Sequence, residues 1–186
     1  MAGKRGAAGA TPATRRGGCA RVRRGGIGVK PQRKGSALFR GHVRSEAVEI
    51  DAPIERAWDI LTDFERYGEW NPFTPSVATD FKIGSPVELY VRMGPWRLKQ
   101  VERIEAVEPP HLIAWSTTMG HRLLISALRE QRLEAVGEGR CRYRTSDDFS
   151  GLLIPLVMLL FGGFVRRGFN DVARGLKARA EAGSAV

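Results

Sequence analysis

The chain has 186 residues, 42% of them hydrophobic and 27% charged, with a formal net charge of +10. That length suits one domain with a sizeable core and is short for two ordinary ones. The charge is uneven: residues 1–40 hold eleven Lys and Arg and no Asp or Glu, whereas residues 41–186 hold nineteen basic against twenty acidic side chains. A charge-driven nucleic-acid function is therefore excluded for the folded part and confined to the first forty residues.

Residues 1–40 are rich in Gly, Ala and Arg and contain little that could form a core, so they are expected to be a disordered basic tail ahead of a folded domain at 41–186. A solvated extension is the plain reading. Weak electrostatic contact with an anionic membrane or with nucleic acid, or an organelle-targeting presequence, are the alternatives; Phe39 is the sole aromatic there to stack on a base. Cys19 and Cys141 make neither a disulfide framework nor a metal-ligand spacing, which points to a reducing compartment. The Arg-rich start runs into Gly and Ala and not into an apolar signal core, so a cytoplasmic location is expected.

VRSEAVEID, Val43 to Asp51, alternates as a strand. APIERAWDILTD follows, with Pro53 in a first helical turn and Ile54, Ala57, Trp58 and Leu61 on one helix face. A second short helical piece, DFERYGEW, carries Phe64 and Tyr67 and stops at Gly68 and Asn71-Pro72. Strand signals then dominate. Val87, Leu89, Val91 and Met93 alternate with polar neighbours, a Gly94-Pro95 turn leads into WRLKQVERIEAV, and HLIAWSTT, REQRLEAV and CRYRTSDDF complete the series. In the last of these, Cys141, Tyr143, Thr145 and Asp147 share one face, and Arg140, Arg142 and Arg144 the other.

A helix from about Gly151 to Glu181 closes the chain. Its second half carries Val165, Phe169, Val172, Leu176 and Ala180 on one stripe. Its first half, LLIPLVMLLFGGFV, is apolar all round but shorter than the roughly 18–20 residues that span a bilayer. It is expected to be a covering helix, buried as a wall in the grip of the sheet; the alternative is that an exposed part of it, together with the basic tail, touches an anionic bilayer.

Strand, two short helices, antiparallel strands and one long helix make an α+β arrangement. With the text EIDAPIERAWDILTDFERYGEWNPF, VEPPHLIAW and DDFSGLLIPL, it resembles the SRPBCC superfamily from about Val43 to Ala182. These are the START-related helix-grip proteins, which include polyketide cyclase/dehydrase and lipid-transport domains. The resemblance implies a helix-grip fold: a curved antiparallel sheet wrapped around a long C-terminal helix, with two short helices after the first strand and a deep apolar cavity between sheet and helix. Such a cavity suits binding of a small hydrophobic ligand, lipid-like or polyketide-like, and no cofactor is expected. Because members include carriers, cyclases and hydratases, a cyclase/dehydratase acting on a polyketide-like or aromatic substrate is the alternative.

The cavity so implied would be lined by Trp58, Tyr67, Trp70, Phe73, Leu89, Val91, Trp115, Leu133, Tyr143, Thr145, Leu156, Leu160 and Phe164. Tyr67, Trp70 and Phe73 have a second reading, as plain core filling at the turn. For catalysis the candidates are Asp147, Tyr143 and Gln131, since a carboxyl held in an apolar pocket resists ionisation and exchanges protons near neutral pH. Asp147 as a helix cap or an Arg partner is the structural alternative. His42, His111 and His121 are scattered, so no metal site is expected, and neither phosphate-loop nor nucleophile-elbow motifs occur. MGHRLLISAL, between two strands, is a candidate gate at the cavity mouth or a simple strand continuation.

Overall fold

A computed structural model describes residues 39–182. The basic tail, all but its last two residues, and Cys19 lie outside the described residues. Strands β1 (Arg40–Arg44) and β2 (Val48–Ile50) stand where one strand over 43–51 was expected. Both pair with β8 (Cys141–Ser150), but Arg44 faces Ser146 while Val48 faces Tyr143, so β1–β2 has one more residue than its partner here. The bulge is held by polar bonds: Ser45 N donates to Thr145 O (2.9 Å), Ser45 Oγ accepts from Thr145 N (3.1 Å), and Glu46 N donates to Asn170 Oδ1 (2.9 Å).

Helix α1 (Ile54–Thr62) buries Ile54, Ala57 and Leu61 and leaves Trp58 half-buried. The second short helix shrinks to one 3-10 turn, Tyr67–Glu69. Asn71 Oδ1 accepts from Thr74 N at 2.8 Å and turns the chain before a helix could propagate. The short β3 (Ser76–Ala78) then precedes β4 (Pro86–Met93), β5 (Trp96–Glu108), β6 (Leu112–Met119) and β7 (Ile125–Ala135). All pairings are antiparallel, in the order β1-β8-β7-β6-β5-β4-β3, with β2 also on β8.

The long helix α2 (Ile154–Glu181) lies in the curve of the sheet, which completes the helix-grip fold. Its 28 residues make a rod of about 42 Å at 1.5 Å per residue, and its halves differ. The second half buries Val165, Phe169, Val172, Ala173, Leu176 and Ala180. It comes close enough that a methyl at Gly168 would overlap the Phe73 ring, and one at Gly175 would overlap the Trp70 carbonyl oxygen. The first half is not the buried wall expected of it. Ile154 is buried and Val157 and Phe161 face the sheet, but Leu156, Leu159 and Leu160 are 54%, 81% and 54% exposed. A helix against one sheet has one face to bury, and among the described residues nothing covers the other.

Gly175→Ala is expected to cost about 1–3 kcal/mol through overpacking against a fixed backbone oxygen, lowering Tm by several degrees. Gly163→Ala in the same helix, where a methyl meets nothing within 4 Å, should hold or raise Tm. Thermal denaturation of the two variants checks the pair.

Candidate functional site

Between the concave sheet and the first half of α2 lies a cavity of about 190 Å³. Strand periodicity chooses its lining, because alternate residues point to one face. Val91 and Met93 come from β4, Leu98, Gln100 and Glu102 from β5, and Thr117 and Met119 from β6. Ile125, Ala127 and Arg129 come from β7, and Asp147 and Phe149 from β8. Val157, Phe161 and Val165, spaced i, i+4, i+8, form the helix wall, and Phe73 closes the inner end.

Besides Gln100 and Thr117, the apolar lining is broken by one charged group of residues. Arg129 and Asp147 are register partners on neighbouring strands. Arg129 is 6% exposed, and its guanidinium carbon lies 4.5 Å from the centroid of Phe169 and 5.5 Å from that of Phe73, two rings set edge-to-face at 5.7 Å. The cation thus rests on aromatic faces. Its Nε and Asp147 Oδ1 are both buried without a hydrogen-bond partner among the described residues.

The two carboxyl groups that share the cavity are held in different protonation states. Burial pushes Asp147 up to about 6, opposed by the positive charge of Arg129. Burial pushes Glu102 further, to about 8, with the negative charge of Asp147 adding to it and Arg129 opposing. At neutral pH the site therefore presents a guanidinium, a carboxylate at Asp147 and a carboxylic acid at Glu102. Two titrating groups displaced to different pKa values are the arrangement from which a base and an acid are made. To a ligand carbonyl or hydroxyl they offer two donors and one acceptor.

Of the residues read from sequence, the structure places Phe73, Val91 and Asp147 on the cavity. Tyr143 and Gln131 lie beneath it: Tyr143 Oη donates to Gln131 Oε1 at 2.6 Å, and Tyr67 Oη approaches the same oxygen at 3.4 Å. Burial raises the pKa of both phenols, so they stay neutral donors. Trp70, Leu89, Trp115, Leu133 and Thr145 are core residues, and Trp58 packs at its edge. Leu156 and Leu160 point away from the cavity, and Phe164 is half-buried with the Arg167 guanidinium 5.2 Å above it. The helix presents Val157 and Phe161 instead, one residue on in each case, a difference of about 100° around the axis. Arg129 and Glu102 were not anticipated, although each had a signal. Arg129 sits two residues before Gln131 and four before Leu133, and Glu102 two before Ile104, all on inward faces. In the segment considered as a gate, β6 ends at Met119 and β7 starts at Ile125, and the loop between them is tied to the entry of α2 by Leu152 N to Leu123 O (2.8 Å) and Leu153 N to Leu124 O (3.1 Å).

Residues 42–181 match the family described as "Polyketide cyclase / dehydrase and lipid transport", and the chain belongs to that family. Among solved structures it is similar to the Zhui aromatase/cyclase from Streptomyces sp. R1128, with TM-score 0.65 and 19% identity over 77% of this chain and 94% of that one. A norcoclaurine synthase point mutant from Thalictrum flavum, in complex with a transition-state analogue, matches with TM-score 0.61 and 12% identity over 79% and 98%. A START superfamily protein from Mycobacterium smegmatis matches with TM-score 0.59 and 19% identity over 76% and 97%. At such identities the likeness is one of fold. No curated protein matches the chain in sequence.

Between about pH 4.5 and 8 the folded state keeps a proton on Glu102 that the unfolded chain releases, and Asp147 does the same up to about pH 6. Stability must therefore fall as pH rises through this window. Glu102→Gln is expected to flatten the decline and raise Tm at pH 8 relative to wild type; Tm measured from pH 4.5 to 8.5 checks both.

Proposed function

We propose that this protein binds a small hydrophobic ligand, lipid-like or polyketide-like, in the cavity between sheet and α2. The observation that carries the reading is the contrast within that cavity: an apolar mouth of Met93, Leu98, Met119, Ile125 and Phe161 leads to a polar end at Arg129, Asp147 and Glu102. Such a lining fits a largely apolar body with one oxygen function, since a few placed polar groups orient a ligand that apolar walls hold. At about 190 Å³ the space lies below the usual 300–1,000 Å³ of drug-sized sites, which favours a compact ligand. Family membership, with lipid transport in its description, supports the same class of ligand.

A second reading, a cyclase/dehydratase-type enzyme, is favoured by the split protonation of the two carboxyl groups. Asp147 as carboxylate would take a proton from carbon next to a ligand carbonyl, Arg129 would hold the oxygen on which charge develops, and Glu102 would give its proton to a departing hydroxyl, which leaves as water. The aromatase/cyclase and synthase among the structural neighbours make this chemistry reasonable for the fold.

The domain reading, with residues 1–40 a basic extension making at most weak contact with anionic membrane or nucleic acid, stands as part of the proposal. So does a reducing, cytoplasmic setting, supported by the free, buried thiol of Cys141. No helix among the described residues is long and apolar enough to cross a membrane.

Ala127→Trp places a large ring in the cavity and is expected to weaken binding of a naphthalene-type fluorescent probe by about tenfold or more; equal affinity in wild type and variant would refute the binding reading. Native mass spectrometry of protein purified from its own host identifies the ligand. For the enzymatic reading, Asp147→Asn should reduce turnover of a polyketide-like or aromatic substrate about 10²-fold or more with the fold intact. Unchanged turnover removes Asp147 as the base.

A further inference from the structure

Large hydrophobic side chains left in solvent are gathered at one end of this molecule. Ten of the fourteen exposed large hydrophobics among the described residues fall on three segments: the β4–β5 hairpin, the β6–β7 loop and the first half of α2. These segments touch. The Trp96 and Phe161 rings stand 6.4 Å apart, joining hairpin to helix, and the backbone bonds from Leu152 and Leu153 to Leu123 and Leu124 join helix to loop. Together they surround the cavity mouth, where Leu98, Met119 and Phe161 are both rim and lining. An apolar patch continuous with a binding cavity marks an interaction surface.

Charge says what covers it. Residues 89–101, 112–129 and 149–169, which build this end, contain Arg92, Arg97, Lys99, Arg122, Arg166 and Arg167 around the patch and not one Asp or Glu. Glu88, Glu102, Glu130 and Asp148 flank these ranges in sequence, and Glu102 and Asp147 face inward on the cavity lining. Lys99 is met by Glu88 at 2.8 Å. Arg92 and Arg97, by contrast, are direct cross-strand partners. Like charges placed opposite each other destabilise a strand pair, and a surface of negative charge outside the protein relieves them. Exposed leucines and a tryptophan with an excess of basic side chains beside them match the acyl boundary and headgroups of an anionic bilayer.

We propose that the cavity-mouth end of the folded domain docks on anionic lipid surfaces, with the first half of α2 lying in the interface and Trp96 at headgroup depth. The cavity then opens directly onto the bilayer. This surface is distinct from the basic tail, and the experiment separates the two by keeping the tail in every variant. The full chain is mixed with vesicles of phosphatidylcholine alone or with added phosphatidylglycerol, and co-sedimentation is measured. Binding is expected only with the anionic vesicles. Leu156→Glu combined with Leu159→Glu, both outside the cavity and exposed, should weaken it about tenfold or more with Tm unchanged. The emission of Trp96, taken as the difference between wild type and Trp96→Phe, should shift to the blue on binding and be quenched by brominated lipid. Ala127→Trp should leave vesicle binding intact, so that this proposal and the cavity reading fail separately. Three results would overturn it: undiminished vesicle binding by the double variant, which would leave the tail as the sole anchor; a Trp96 signal unmoved by lipid; or a dimer in solution that the double variant converts to monomer, which would make the patch an interface between copies of this chain.

Discussion

The ring of Phe73 against the bare backbone of Gly168 is the contact on which the rest of the site depends. It stands at the inner end of the cavity; N-terminal to it α2 still meets the sheet at Gly41, against Ile154 and Met158, and at Trp96, against Phe161. On the C-terminal side, glycines at 168 and 175 let the helix press onto Phe73 and the Trp70 backbone, and Phe169, Val172, Leu176 and Ala180 complete a closed core. On the N-terminal side the cavity lies between the inward faces of β4–β8 and the Val157, Phe161 and Val165 side of the same helix. Phe73 belongs to both halves: it packs edge-to-face on Phe169 and also forms the inner wall of the cavity.

That position explains how an arginine tolerates near-complete burial. A buried cation must be paired or otherwise stabilised, since the cost of removing it from water is several kcal/mol. Arg129 meets this with two aromatic faces beneath it and two carboxyl groups within electrostatic reach. One positive charge among two acids in a dry setting stabilises one carboxylate and leaves the other protonated, which is the origin of the divided pKa values. Below this layer Tyr143 and Tyr67 share Gln131 Oε1, while Gln131 Nε2 is buried without a hydrogen-bond partner among the described residues.

The architecture was readable in advance because its signals are local. Alternation in CRYRTSDDF, the i, i+3, i+4, i+7 stripe of α1 and the apolar stripe of the second half of α2 all survive in the structure with small shifts of boundary. The strand over 43–51 divides at Ser45 because a bond to Asn170, more than a hundred residues away, enters the accounting. The first half of α2 shows the sharpest limit. A segment apolar all round has no preferred face, so periodicity could not tell Val157 and Phe161 from Leu156 and Leu160.

From the amino-acid sequence alone follow the order of elements, the inward faces of β4 and β8, the division of charge between the first forty residues and the remainder, and the family to which the chain belongs. These rest on spacing along the chain, and spacing is fixed by the covalent backbone. Only the tertiary structure decided that Arg129, Asp147 and Glu102 face one cavity, that Tyr143 and Gln131 are sealed beneath it, and that the leucines of the first half of α2 remain in solvent. Each of these is a matter of which strand lies beside which and how far the sheet curves from a straight helix. Curvature and register arise from packing between distant segments, where no single stretch of sequence carries the signal.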